Sequence, residues 1–171
     1  MKKLVFSTSS EVAIKAFKLD VSEGVKALYK KSYIYSENSS KAQEEEDIPT
    51  AICLHQQKLV AGYVTSHSLV HFDIEAGKVC QEINFNADGQ ISTNKLVSQP
   101  TMLIGGFEDK MVRIFDKNRM TYSFRAHDDS VMSVALLSNM NEFFTCGHDG
   151  FVKLWDVRKF EAISVFRVSI W

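Results

Sequence analysis

The chain has 171 residues, 45% of them hydrophobic and 24% charged, with a formal net charge of −1 at pH 7. That is a globular profile sized for one ordinary domain, and it excludes a sequence-wide basic field for nucleic acid. No run approaches the ~18 apolar residues of a membrane-spanning helix, and the apolar stretch after MKK is far short of a secretory signal.

Taken in order, residues 4–8 (LVFST) and 12–19 (VAIKAFKL) alternate with the period of two that marks half-buried strands, and VKALYKKSYIY (25–35) contains a third. They read as the second, third and fourth strands of a unit (4–35) whose first strand is missing. Residues 36–47, SENSSKAQEEED, have nothing to bury and read as an acidic loop inserted between units. Its functional alternative is an acidic docking site, or phosphorylation at Ser39 or Ser40. A second unit (48–86) offers PTAICLH, KLVAGYVT, SLVHFDI and VCQEINF. A third (90–126) offers ISTNKLVS, TMLIGGF, MVRIFD and MTYSFRA. In a fourth (127–168), SVMSVALL, EFFTCG, FVKLWDV and EAISVFRV are separated by short turns that include NMN and HDG. The sequence then stops at the apolar Val168-Ser169-Ile170-Trp171, which reads as a cut end, since repeat arrays normally shield their terminal units.

LVHFD ends at Asp73, VRIFD at Asp116 and VKLWD at Asp156, spacings of 43 and 40 residues. That is the period of a propeller built from four-stranded sheets. The expected fold is therefore all-β: a partial β-propeller of about three and a half four-stranded antiparallel blades over residues 4–168. Propellers protect their strands by closing radially, and an arc leaves its end faces open to water. The chain is expected to be a fragment or shortened product of a longer propeller, or to pair with another propeller arc.

The fourth unit resembles a WD repeat. His127 lies in the loop before its first strand, Asp149 in a turn six residues before Trp155, and Trp-Asp ends its third strand. The resemblance implies a hydrogen-bonded tetrad of His127, Thr145, Asp149 and Trp155. Such a set is physically sensible, since a buried imidazole needs a partner on each nitrogen and an indole N–H needs an acceptor. The second unit has no loop histidine, and Ser66 stands where the turn aspartate would be. The third keeps Asp109 six residues before Phe115, but has Gly105 at the Ser/Thr place and no histidine in NADGQ (86–90). It is expected to rely on apolar packing between neighbouring sheets.

The succession IPTAICL, LVAGYVTSHSLVHFDIEAGK, ISTNKLVSQPTMLIGGFEDKMVRIFDKN and AHDDSVMSVAL is similar to the later blades of the striatin family. That resemblance implies a non-catalytic protein-interaction scaffold in a signalling assembly with type-2A serine/threonine phosphatase and kinase subunits, and no cofactor. No heptad run or basic amphipathic helix appears in the sequence, so the family's coiled-coil and calmodulin-binding activities are not carried over.

Candidate partner contacts are the rim residues Lys110, Asp128, Asp129, Arg158 and Lys159, each of which also reads as an ordinary solvated charge. WDVR (155–158) matches the WDxR box of substrate-receptor adaptors for cullin-type ubiquitin ligases, which is the alternative reading; the structural one has Arg158 pair with Asp156. Cys53, Cys80 and Cys146 have no CxxC spacing and read as buried free thiols of a reducing, cytoplasmic compartment. His67 and His71 have no third ligand in sight, so no metal is expected. GxSxG, HExxH, P-loop and GxGxxG patterns are missing, and the tetrad already occupies the His, Thr and Asp set, so catalysis is not expected.

Overall fold

The computed structural model describes residues 2–8, 13–20, 26–34, 48–64, 68–84, 92–116 and 119–168. Among these residues the strands form four antiparallel sheets, each a meander in which chain neighbours pair. Sheet one contains β1 (Lys2–Ser7), β2 (Ala13–Asp20) and β3 (Lys26–Ile34). Sheet two contains β4 (Pro49–His55), β5 (Lys58–Tyr63), β6 (Ser68–Asp73) and β7 (Val79–Asn84). Sheet three is built from β8 (Thr93–Ser98), β9 (Leu103–Phe107), β10 (Met111–Asp116) and β11 (Arg119–Arg125). Sheet four is built from β12 (Val131–Leu136), β13 (Glu142–Gly147), β14 (Phe151–Asp156) and β15 (Ala162–Arg167). The fold is a partial, open β-propeller.

Tight turns set these meanders, though their chemistry is less uniform than the sequence suggests. Gly150 supplies φ 80° in the HDG turn, as a glycine does freely. The equivalent place between β9 and β10 is held by Lys110 at φ 75°, and Gln56 and Gln57 take φ 48° and 64° between β4 and β5. In the NMN turn Met140, rather than an asparagine, adopts φ 58°.

The core lies between sheets rather than within one. Ile14 of sheet one packs with Leu59, Tyr63, Val70 and Phe72 of sheet two. Ala51, Val60, Leu69 and Ile83 of sheet two meet Leu96, Leu103, Phe107 and Phe115 of sheet three. Ile104, Val112 and Ile114 of sheet three meet Val131, Val134, Phe143 and Trp155 of sheet four. Burial of these alternating faces supplies most of the driving force, at roughly 25 cal/mol per Å² of apolar surface.

Two glycines set how closely the sheets approach. A Cβ on Gly62 would sit 2.4 Å from Cβ of Thr93 on the next sheet, and one on Gly106 would sit 2.8 Å from Val131. The two are in register, Gly62 pairing with Leu69 and Gly106 with Val112. Cys146, paired with Val152, takes this place in sheet four. On that flank Phe144, Val152 and Leu154 are only half-buried and Phe166 is 51% exposed. A shallow hollow of about 80 Å³ opens there between Ser133, Ala135, Phe144, Cys146 and Val152.

The expected burial of all three cysteines is corrected: Cys53 and Cys146 are half-buried, but Cys80 on the edge strand β7 is exposed. Residues 36–47 with Ser39 and Ser40, Ser66 and His67, the NADGQ segment, and Ser169 to Trp171 lie outside the described residues.

Alanine is the better strand residue by about 0.5–1 kcal/mol, so Gly62→Ala would stabilise an isolated strand. Here it is expected to destabilise the protein by about 1–3 kcal/mol, because Thr93 must be displaced. Chemical denaturation midpoints check this; a stabilised variant would contradict the close approach.

Candidate functional site

The polar heart of sheet four is a single chain of hydrogen bonds from indole to carboxylate. Trp155 Nε1–H donates to Thr145 Oγ1 at 2.8 Å, and Thr145 Oγ1 lies 2.7 Å from Nε2 of His127. Nδ1 of His127 is 3.0 Å from both carboxylate oxygens of Asp149. An indole can only donate and a carboxylate can only accept, so Trp155 donates to Thr145 and His127 donates from Nδ1 to Asp149. Burial favours the neutral imidazole, whose unprotonated Nε2 accepts from the Thr145 hydroxyl.

Each member is placed by local structure. His127 and Thr145 are buried, on the entry loop and on β13. Gly147 lets the imidazole lie against β13, since a Cβ there would come within 2.4 Å of His127. The turn carboxylate of Asp149 also accepts the backbone N–H of Asp128 at 2.9 Å and of Phe151 at 3.1 Å. Burial holds His127 below the usual histidine range against the opposing pull of Asp149, consistent with a neutral ring. Asp149 lies below the usual carboxylate range: burial works the other way, but the N–H groups of Asp128 and Phe151, with His127, outweigh it. Both hydrogen-bonding roles of the Thr145 hydroxyl are filled, so it is a bridge rather than a nucleophile. The arrangement ties a loop, two strands and a turn together.

Sheets three and two solve the same packing problem differently. By register, Phe107 and Tyr63 stand where Gly147 does, Gly105 and Ala61 where Thr145 does, and Phe115 and Phe72 where Trp155 does. In sheet three the Phe107 ring folds over Gly105, whose Cβ would be 2.6 Å from it. Arg113, only 5% exposed, places its guanidinium 4.6 Å from the Phe107 ring centroid. It is paired end-on with Asp109, Nη1 donating to Oδ1 at 2.8 Å and Nη2 donating to Oδ2. This blade does pack through apolar clusters on both faces, as expected, and holds a buried ion pair in addition. Asp109 has exchanged a histidine for a buried arginine, the residue that VRIFD carries at the place of Lys153 in VKLWD. Sequence reading missed Arg113 because a lone cation in an alternating strand looks solvated.

The five rim residues divide between the two rims. Lys110, in the β9–β10 turn, accepts the Ala126 and His127 N–H groups through its carbonyl, beside Asp128 and Asp129. Asp128 pairs with Arg125, and Asp129 with His148. Arg158 and Lys159 lie at the opposite end of the strands, in the β14–β15 turn. There Arg158 donates to both Asp156 oxygens, from Nε at 3.3 Å and Nη2 at 2.8 Å. Those bonds, with the Arg158 N–H, hold Asp156 far below the usual carboxylate range.

Near this second rim a file of rings runs from the core to the surface. Phe124 lies 4.8 Å from Trp155, and Tyr122 stacks on Phe160 at 5.1 Å between centroids. Tyr122 is 47% exposed. Among the described residues no group of three or more His, Cys, Asp or Glu side chains could hold a metal ion.

Residues 118–156 match the family model described as WD domain, G-beta repeat. The match runs from the last strand of sheet three through the third strand of sheet four, so the sequence repeat straddles two sheets. The chain is 30% identical over 125 residues to a striatin homolog of Dictyostelium discoideum, covering 64% of this chain and 15% of that protein. It is 28% identical over 131 residues to a WD repeat-containing protein 55 homolog of Drosophila erecta, covering 69% of this chain and 24% of that one. It is also 30% identical over 87 residues to the Target of rapamycin complex 1 subunit mip1 of Schizosaccharomyces pombe, 44% of this chain and 7% of the relative. A chain in a crystal structure of the Mitotic Checkpoint Complex superposes with a TM-score of 0.75 at 15% identity, covering 95% of this chain and 47% of its own length. The chain thus spans less than a quarter of the length of these curated relatives.

Thr145→Val keeps the shape of the bridge but strands the Trp155 N–H and the His127 Nε2, and is expected to cost about 1–3 kcal/mol in a thermal melt. Asp109→Ala leaves a buried guanidinium unpaired and is expected to cost more, about 3–5 kcal/mol. The reverse order would contradict the assignment of the ion pair as the stronger latch.

Proposed function

Taking this chain as part of a WD-repeat protein related to striatin, we propose that it is a protein-interaction scaffold and that one partner surface lies at the outer end of the junction between sheets three and four. The observation that carries this reading is the stack of the exposed Tyr122 on the half-buried Phe160, anchored through Phe124 to the buried Trp155. Tyrosine and arginine are enriched among residues that dominate binding energy, and a ring braced from behind loses little entropy on docking. Arg158 and Lys159 lie two residues and one residue before Phe160. The names of two matched proteins, a complex subunit and a chain of a multiprotein complex, support a role in assemblies.

The finer reading follows the striatin likeness: a cytoplasmic signalling assembly with type-2A phosphatase and kinase subunits. Lys110, Asp128 and Asp129 would serve a second contact on the opposite rim. The open flank of sheet four would take a further propeller sheet from another arc. The cullin-adaptor alternative requires Arg158 to leave Asp156, to which it is bound by two side-chain hydrogen bonds, and is the less favoured.

Proximity labelling from the native full-length protein, wild type against Tyr122→Ser with Arg158→Ser, tests this. Phosphatase and kinase subunits are expected to be enriched by the wild type and reduced at least tenfold by the double variant, with unchanged protein levels. Labelling of cullin-ligase components instead would promote the alternative. Labelling unaffected by the variant would remove the ring stack from the partner surface.

A further inference from the structure

We propose that the junction between sheets two and three is an acid-sensitive hinge, in which protonation of His71, with His55 beside it, loosens the packing of one sheet on the other. In register, His71 stands where sheet three has Ile114 and sheet four has Leu154. An imidazole therefore occupies an aliphatic place on the face that meets the next sheet. His71 is 2% exposed, and its Nε2 has no hydrogen-bond partner among the described residues. No described residue at that nitrogen would stabilise a charge, and a buried unpaired cation is costly.

His55 completes the junction. It is also buried, and its Nδ1 lies 2.8 Å from Oγ of Ser98 on sheet three. Adjacent links lie along the same rim: Gln56 donates to the Pro100 carbonyl, and Gln99 reaches on to the Met140 carbonyl of sheet four. The His55 ring thus takes part in a contact that already couples two sheets.

The charged and titratable groups facing the pair define the sign. From sheet two, Lys58 opposes a charge on either histidine, and His55 opposes a charge on His71. Asp73 lies opposite Lys58 in register and accepts the Ala76 N–H. Cys53 stays a neutral thiol, pushed up to about 12 by burial despite Lys95 of sheet three. From sheet three, a hydrogen bond to the Gln99 backbone and then Asp116 favour a charge on His55, and burial outweighs them. Cys80 donates to the His71 carbonyl, not to its ring. Burial first, then Lys58 and His55, hold His71 at about 4.

An opened junction takes up a proton below pH 6.5, whereas the closed one does not until about pH 4. The packing is therefore at full strength above pH 6.5, weakens as pH falls toward 4, and levels off below that. Opening would bare Ile83, Leu96, Leu103 and Phe115, the apolar cluster between the two sheets.

Hydrogen exchange of the β8 amides in the native protein, corrected for the intrinsic pH dependence of exchange, tests the hinge. Opening is expected to rise roughly 30-fold between pH 7.5 and 5. His71→Ile, the residue of the next sheet, should flatten that rise to a few-fold, and so should the always-neutral His71→Gln if the first variant packs poorly. A proton NMR titration should place the His71 midpoint below 5. A midpoint near 6.5, or an undiminished rise in both variants, would overturn the proposal.

Discussion

Face-to-face contact between successive sheets is the constraint on which this structure depends. Each sheet is a meander too thin to hide its own apolar side chains, and each side of it needs a neighbour. The contact repeats at a fixed register. A glycine, Gly62 or Gly106, lets the first strand of the following sheet approach, and Thr93 or Val131 fills the space. Stability is then a sum over junctions, as in other repeat architectures. On the flank of sheet four, which no other sheet covers among the described residues, the apolar residues at the corresponding places remain partly wet.

Within that frame the interior of each sheet is variable. Sheet four joins loop, strands and turn with an indole, a hydroxyl, an imidazole and a carboxylate, every polar atom directed toward a partner. Sheet three turns the same carboxylate position toward a buried arginine and fills the vacated space with Phe107. Sheet two uses Tyr63 and Phe72 over a small Ala61, and all three are buried. The aromatic solutions keep shape without the directional polar chain. On the opposite face of sheet two, toward sheet three, stands His71, whose charge state matters to the junction it occupies. What is common to all three is volume, and what differs is the means of fixing orientation.

Much of this was legible in the sequence because alternation of two reports a half-buried strand directly, and three Asp-terminated strands at spacings of 43 and 40 reveal the repeat. The tetrad members could be named because Asp149 and Trp155 sit in an unmistakable turn-and-strand context. Arg113 could not, since a strand pattern says which face a residue takes but not whether a carboxylate waits in the preceding turn. Cys80 was misjudged for a related reason: on an edge strand, only one side of the residue has a neighbour. Tyr122 and Phe160 are 38 positions apart and belong to different sheets, so no local pattern could bring them together. His71 read only as an unlikely ligand, because its aliphatic counterparts Ile114 and Leu154 become counterparts only once the registers are known.

The most direct test of the account is a set of nuclear Overhauser contacts across the two junctions. Strong cross-peaks are expected from the Thr93 methyl to the Gly62 α-protons and from the Val131 and Val134 methyls to those of Gly106, at separations under about 5 Å. Sheets that pair internally but lack these cross-peaks would show that the strands are right and the stacking is wrong, and the reading of the chain as a propeller arc would fall with it.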